Sequence, residues 1–232
     1  MDTSNIPHTP YHIPSVGRLH PNIWGWWLGL TVLGGMVGEF LAAIPANAVG
    51  RFISAFDNGQ LLKVFPVVGY IELLIYGLLC GIGLGVCHWF INNRMDDTKS
   101  PRTRGWLWIA SWTVVILLEL RFRSSPYNDP WIIQSMVLGL ITGSIGGGIQ
   151  LVTLRHTLKY AVIWVMSSGM SLMVGFAVFR FFVEDRLGFI YWEGTYDSSY
   201  YIGRLFQWAI YGLITGLTLE WMIRVTNRQR HM

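Results

Sequence analysis

The sequence predicts an all-α integral membrane protein: six transmembrane helices, arranged as three tandem two-helix repeats about a pseudo-threefold axis. Three observations carry this prediction. Apolar residues make up 52% of the chain and charged residues only 13%, about half the charged share of a typical soluble domain. The apolar residues fall in runs close to the roughly 20 residues that cross a ~30 Å hydrocarbon core. One segment recurs three times, as Glu72-x4-Gly77-Leu78-Leu79-Cys80-Gly81, Gln134-x4-Gly139-Leu140-Ile141-Thr142-Gly143 and Gln207-x4-Gly212-Leu213-Ile214-Thr215-Gly216. Internal repetition constrains architecture before any local argument is made.

The elements follow in order. Residues 1–22 are polar and rich in proline and histidine, without the basic region and short apolar core of a cleavable signal peptide. They read as a cytoplasmic tail, and the first span, Ile23–Ile44, as its own insertion signal. Val67–Ile91 carries the first repeat copy and both cysteines. Cys80 and Cys87 lie about two turns apart on one helix and cannot bridge each other within it. Gly105–Phe122 is the shortest span and contains Glu119 and Arg121 near its end. Trp131–Leu154 holds the second copy, Tyr160–Phe182 follows, and Gly203–Ile223 holds the third. The membrane domain thus covers residues 23–225, with repeat units at 23–91, 105–154 and 160–223, and residues 226–232 form a basic tail. Inside lipid the backbone must satisfy its own hydrogen bonds, so the spans are helices.

The first, third and fifth spans also match one another. Trp26 and Glu39 correspond to Trp106 and Glu119 at the same separation, and to Val162 and Gly175 in the fifth. Small residues recur every fourth position at Gly77, Gly81 and Gly85, at Gly139, Gly143 and Gly147, and at Gly212 and Gly216. Such ridges let helix backbones approach in lipid, where no hydrophobic force drives association. This places the second, fourth and sixth helices in the closely packed interior.

Basic residues set the expected orientation. Arg18, Arg94, Lys99, Arg102, Arg104, Arg155, Lys159, Arg224, Arg228 and Arg230 fall on the side of the N-terminus. Arg51, Lys63, Arg121, Arg123, Arg180, Arg186 and Arg204 fall on the other. The excess puts both termini in the cytoplasm of an inner or thylakoid-type membrane. The net charge of +4 is therefore a topology signal and implies no nucleic-acid partner. The loop from Glu184 to Gly203 holds Phe189, Tyr191, Trp192, Tyr196, Tyr200 and Tyr201. It reads as an interfacial aromatic belt or, in a sharper reading, as a lid.

Two polar layers are candidates for chemistry. Glu39, Glu72, Glu119, Gln134 and Gln207 share one depth, one or two turns inside the helix boundaries. Carboxylates inside a membrane are costly and belong in the bundle interior. There they bind a cation, a proton or a cationic ligand, or they pair with arginines as interhelical glue; Arg51, Arg121, Arg180 and Arg204 start from the same side. The second layer is His88, Gln150 and Glu220, each followed by a basic residue. It reads as an interfacial collar with snorkelling arginines, the alternative being ligation of a pigment or haem by His88. His8, His12 and His20 alternate with prolines that exclude a helix aligning them on one face, so a metal site there is the lesser reading beside an extended tail. No nucleophile elbow, phosphate loop, zincin helix or dinucleotide fingerprint is present, and the chain is not read as an enzyme.

Glycines followed by a polar residue, often Trp, and then Arg, as in Gly143, Gly147, Gln150 and Arg155 with His88-Trp89 and Glu220-Trp221 as variants, resemble repeats in multi-pass bacterial membrane proteins from cyanobacteria and Chloroflexi. The resemblance covers most of the chain and implies no function. In outline the three two-helix repeats are similar to mitochondrial carriers, but the Pro-x-Asp/Glu-x-x-Lys/Arg signature of those proteins is absent here. The sequence therefore points to transport or binding of a small cation or a cationic or hydrophobic ligand through the Glu/Gln layer. The alternative is a non-catalytic structural or pigment-associated subunit of a larger membrane complex. The expected partners are the lipid bilayer and other membrane subunits.

Overall fold

A computed structural model describes residues 22–56, 66–95, 105–123, 131–154, 160–183 and 198–230. They form six helices: α1 (Ile23–Phe56), α2 (Pro66–Met95), α3 (Gly105–Arg123), α4 (Trp131–Leu154), α5 (Ala161–Val183) and α6 (Ser198–Arg230). The fold is all-α, as predicted. Four helices contain stretches long and apolar enough to cross a membrane: Ile23–Pro45, Leu74–Ile91, Ile132–Val152 and Val162–Phe182. The apolar part of α3, Gly105–Leu120, is shorter. The buried Arg204 and the Glu220, Arg224 and Arg228 of its last turns make α6 the least apolar of the six.

Each helix packs on its neighbours in sequence, and α6 closes the ring by packing on α1. Glycine sets the separation at most of these seams. A methyl group added at Gly34 would lie 2.7 Å from the Gly83 carbonyl, and one at Gly38 2.9 Å from Cys80 Cα. Rising numbers on α1 therefore meet falling numbers on α2, and the two helices are antiparallel. The same holds where Gly77, Gly81 and Gly85 of α2 face Leu117, Thr113 and Ile109 of α3. It holds again where Gly139 and Gly143 of α4 face the backbone of Leu172 and Ser168 on α5. Gly212 and Gly216 of α6 lie against Leu28 and Trp24 of α1. Each glycine ridge thus seals its helix to the next helix round the ring. The ridges were expected to mark the second, fourth and sixth helices as inner ones; instead every helix shares the wall.

The outside of this ring is apolar. Leu33, Val37, Leu78, Ile82, Val86, Leu140, Ile141, Leu213 and Leu217 are all exposed. The inside holds Thr31, Glu39, His88, Ser111, Glu119, Thr142, Gln150, Arg204, Gln207 and Thr215, all buried. Apolar residues out and polar residues in is the pattern that a lipid environment stabilises. Sequence-matched positions also share environments. Trp26, Trp106 and Val162 are exposed, Glu39, Glu119 and Gly175 are buried, and Cys80, Thr142 and Thr215 are buried.

Aromatic side chains fill the ring. At one end, here the tryptophan end, lie the first turns of α1, α3 and α5. Trp27, Trp108 and Trp164, one from each, meet edge to face with centroids 5.4–6.4 Å apart. Toward the other end, the arginine end, a second cluster includes Tyr76, Trp112, Phe176, Trp208 and Tyr211.

Candidate functional site: a buried ion-pair network

Four of the six helices bring charge or hydroxyl groups to one point near the arginine end. α6 presents Tyr200, Arg204 and Gln207 at i, i+4 and i+7, a spacing that keeps them on one face. Arg204 is 0% exposed, Glu119 1% and Glu39 2%. Arg204 Nε lies 3.0 Å from Glu39 Oε1 on α1, and Nη1 lies 2.7 Å from Glu119 Oε1 on α3. Nη1 also donates to Gln207 Oε1 at 2.8 Å. The guanidinium stacks over Phe179 of α5 with its carbon 4.7 Å from the ring centroid, an arrangement that the ring quadrupole favours. Arginine suits this task, because its planar fork donates to several acceptors at once and stays charged.

Two tyrosines complete the network. Tyr76 of α2 donates to Glu39 Oε2, and Tyr200 donates to the same oxygen at 2.9 Å. The two hydroxyls are 2.8 Å apart, and Arg204 Nε also reaches the Tyr200 hydroxyl at 3.2 Å. Among the described residues, Arg204 Nη2, Gln207 Nε2 and Trp208 Nε1 are buried donors without a protein acceptor.

The structure thus brings together Glu39, Glu119 and Gln207 from the predicted Glu/Gln layer. Gln134, its counterpart in α4, is exposed. The next residue, Ser135, turns inward instead and accepts a 2.9 Å hydrogen bond from Arg180 Nε. The side chain of Glu72 lies outside the described residues, as do those of Arg51 and Arg121. Of the arginines expected to reach the layer, Arg204 does so. Tyr76 escaped the sequence reading, and Tyr200 was read there as part of an aromatic belt or lid; the structure places both on Glu39.

The second predicted layer separates into two environments. His88 and Gln150 are buried inside the ring, whereas an interfacial collar was expected. Glu220 stands at the end of α6, pairs with Arg224 and accepts from the Trp24 amide, as a collar residue does. His88 stacks on Trp27 with centroids 4.3 Å apart. Its Nδ1 accepts from Trp112 Nε1 at 2.9 Å, because an indole N–H only donates. Its Nε2 lies 2.8 Å from Thr31 Oγ1, which itself donates to the Trp27 carbonyl, so Nε2 is the donor. This hydrogen-bond assignment gives a neutral imidazole with the proton on Nε2. Both ring nitrogens are engaged by protein, so a pigment or haem would have to displace Thr31 or Trp112. Gln150 is held in the same way, accepting from Trp164 Nε1 at 2.9 Å and donating to Ser111 Oγ at 3.1 Å. Among the described residues no three His, Cys, Asp or Glu side chains are grouped to hold a metal. His8, His12 and His20 lie outside them.

Comparison with protein-family models, curated proteins and solved structures finds no match to this chain.

Proposed function

We propose that this is a membrane protein that binds or transports a small cation, with the Glu39–Arg204–Glu119 network as its charged core. The observation that carries this reading is the complete burial of three ionisable groups, 0–2% exposed, inside a bundle with an apolar exterior. Ionisable side chains at such a position are costly and mark ion or proton pathways in membrane proteins. A second support is the balance of charged groups: two carboxyl groups, Glu39 and Glu119, contact one guanidinium. Gln207 orients the guanidinium, and Glu39 and Glu119 supply negative charge. In this reading all six helices cross the bilayer, three two-helix units surround a pseudo-threefold axis, and both termini are cytoplasmic. The cyclic order of the glycine seams and the matched environments of repeated positions support it.

The test is binding and flux of monovalent cations in proteoliposomes, for wild type, Glu39→Gln and Glu119→Gln. Loss of saturable binding or flux with retained folding supports the reading. Unchanged binding, flux and stability in both variants sinks it. A structural subunit of a larger membrane complex is the second reading. The tryptophan end favours it, since His88 and Gln150 are fully used in holding helices together. Stoichiometric co-purification with other membrane subunits is its signature.

A further inference from the structure

We propose that the cation held here is a proton, bound in a ring of three oxygens formed by Glu39 Oε2 and the hydroxyls of Tyr76 and Tyr200. This rests on the cation reading above and narrows it. The three oxygens are mutually within hydrogen-bond reach: Tyr76 on Glu39, Tyr200 on Glu39 at 2.9 Å, and Tyr76 on Tyr200 at 2.8 Å. Three contacts need three hydrogens, and the two hydroxyls supply two. With Glu39 ionised, both tyrosines donate to it, and the tyrosine–tyrosine contact sets lone pair against lone pair. One added proton lets every oxygen in the ring donate once and accept once. Such closed chains polarise each other and strengthen together.

The rest of the network accommodates this proton without rearrangement. Arg204 Nε contacts Oε1 of Glu39, the oxygen outside the ring, at 3.0 Å. The ion pair and the proton therefore occupy different oxygens of one carboxyl group. The groups facing Glu39 are Tyr76 and Cys80 from α2, Glu119 from α3, and Tyr200, Tyr201 and Arg204 from α6. Binding forms one O–H bond on Glu39 as a hydronium ion gives up its proton and leaves as water, and the charge of the cluster rises by one. A metal cation, by contrast, needs several oxygens turned toward it at about 2.0–2.6 Å. Here the three oxygens are already turned toward one another.

Infrared spectroscopy of the full chain in phosphatidylcholine liposomes tests this, with the protonated-carboxyl band followed against pH in H2O and D2O. The expected result is a deuterium-sensitive band that disappears in Glu39→Gln and persists in Glu119→Gln. Tyr76→Phe, which keeps the ring packing, removes one bond and shifts that band without abolishing it. A wild type without the band at any pH that keeps it folded, or a band lost in Glu119→Gln and kept in Glu39→Gln, overturns the assignment. Saturable Na+ or K+ binding that needs Glu39 and comes without the band overturns the proton while leaving the cation reading intact. Neither band nor cation binding overturns both.

Discussion

Arg204 Nη1 lies 2.7 Å from Glu119 Oε1 across 85 positions of sequence, and neither side chain reaches the surface. The pair ties α6 to α3 on opposite sides of the ring, two helices that are neighbours neither in sequence nor among the main packing seams. The same guanidinium holds Glu39 on α1. One side chain thus cross-links three walls of the bundle.

Removing that cross-link leaves two buried carboxyl groups without their guanidinium. Breaking a buried pair from one side costs about 3–5 kcal/mol, because the remaining charge is uncompensated. Arg204→Ala is therefore expected to lower the unfolding midpoint in detergent strongly. Arg224→Ala is the control, since its partner Glu220 lies one turn away at the bundle end, and exposed pairs contribute about 0–1 kcal/mol. Equal midpoints for the two variants would show that the network carries no net stabilisation.

The glycine seams give a sharper contrast. A methyl group at Gly143 would lie 2.4 Å from the Ser168 carbonyl, and α4 would have to move off α5. At Gly148, on the same helix, nothing lies within 4 Å. Gly143→Ala is expected to destabilise by about 1–3 kcal/mol, as overpacking does. Gly148→Ala is expected to be neutral or to stabilise by up to about 1 kcal/mol through helix propensity. Leu140→Ala, on a position 40% exposed on the outer face, is expected to behave like Gly148→Ala. Urea or SDS unfolding of the three variants ranks them, and a Gly143→Ala protein as stable as wild type would contradict this seam.

Much of this architecture was legible in the sequence. The thrice-repeated segment located α2, α4 and α6, and the matched Glu39 and Glu119 fell into one buried layer. Rotation of each helix about its axis was harder to read. In a membrane protein both faces of a helix are apolar, so periodicity does not separate Gln134, which faces out, from Gln207, which faces in. Tryptophan was equally ambiguous. Trp26 and Trp106 face out, as membrane-interface residues do. Trp27 and Trp108, one and two positions further on, fill the ring. His88 read as a collar residue because its neighbours in sequence are Trp89 and, further on, Arg94. Its true partners, Thr31 and Trp112, come from other helices and left no local signal.

The antiparallel ring makes a topology test direct. Reporters fused after Met232 and inserted at Lys99 are expected on the same, cytoplasmic side, and one near Ser198 on the opposite side. The antiparallel packing of α5 on α6, with Gly175 against Gln207 and Ser167 against Thr218, motivates the split. Matching signals from the Lys99 and Ser198 reporters would mean that at least one of the intervening helices does not cross.

The last prediction concerns how His88 is held. Trp108 and Trp112 lie four positions apart on α3 and are both buried, yet their indole nitrogens differ. Trp112 Nε1 donates to His88 Nδ1, whereas Trp108 Nε1 has no acceptor among the described residues. Replacing either by Phe removes a similar apolar volume, so the packing cost is shared. Trp112→Phe in addition leaves the His88 nitrogen as a buried acceptor without its donor, a loss of about 1–3 kcal/mol. Trp108→Phe instead removes a buried donor that has nothing to bond. Trp112→Phe is therefore expected to be the more destabilising of the two by about that margin. Nitrogen-15 NMR of selectively labelled wild-type protein at neutral pH is expected to show the proton of His88 on Nε2, and Trp112→Phe to shift the Nδ1 resonance. If the two tryptophan variants melt together, or if the proton of His88 resides on Nδ1, Trp112 is a packing residue and the histidine is held by Thr31 and by stacking on Trp27.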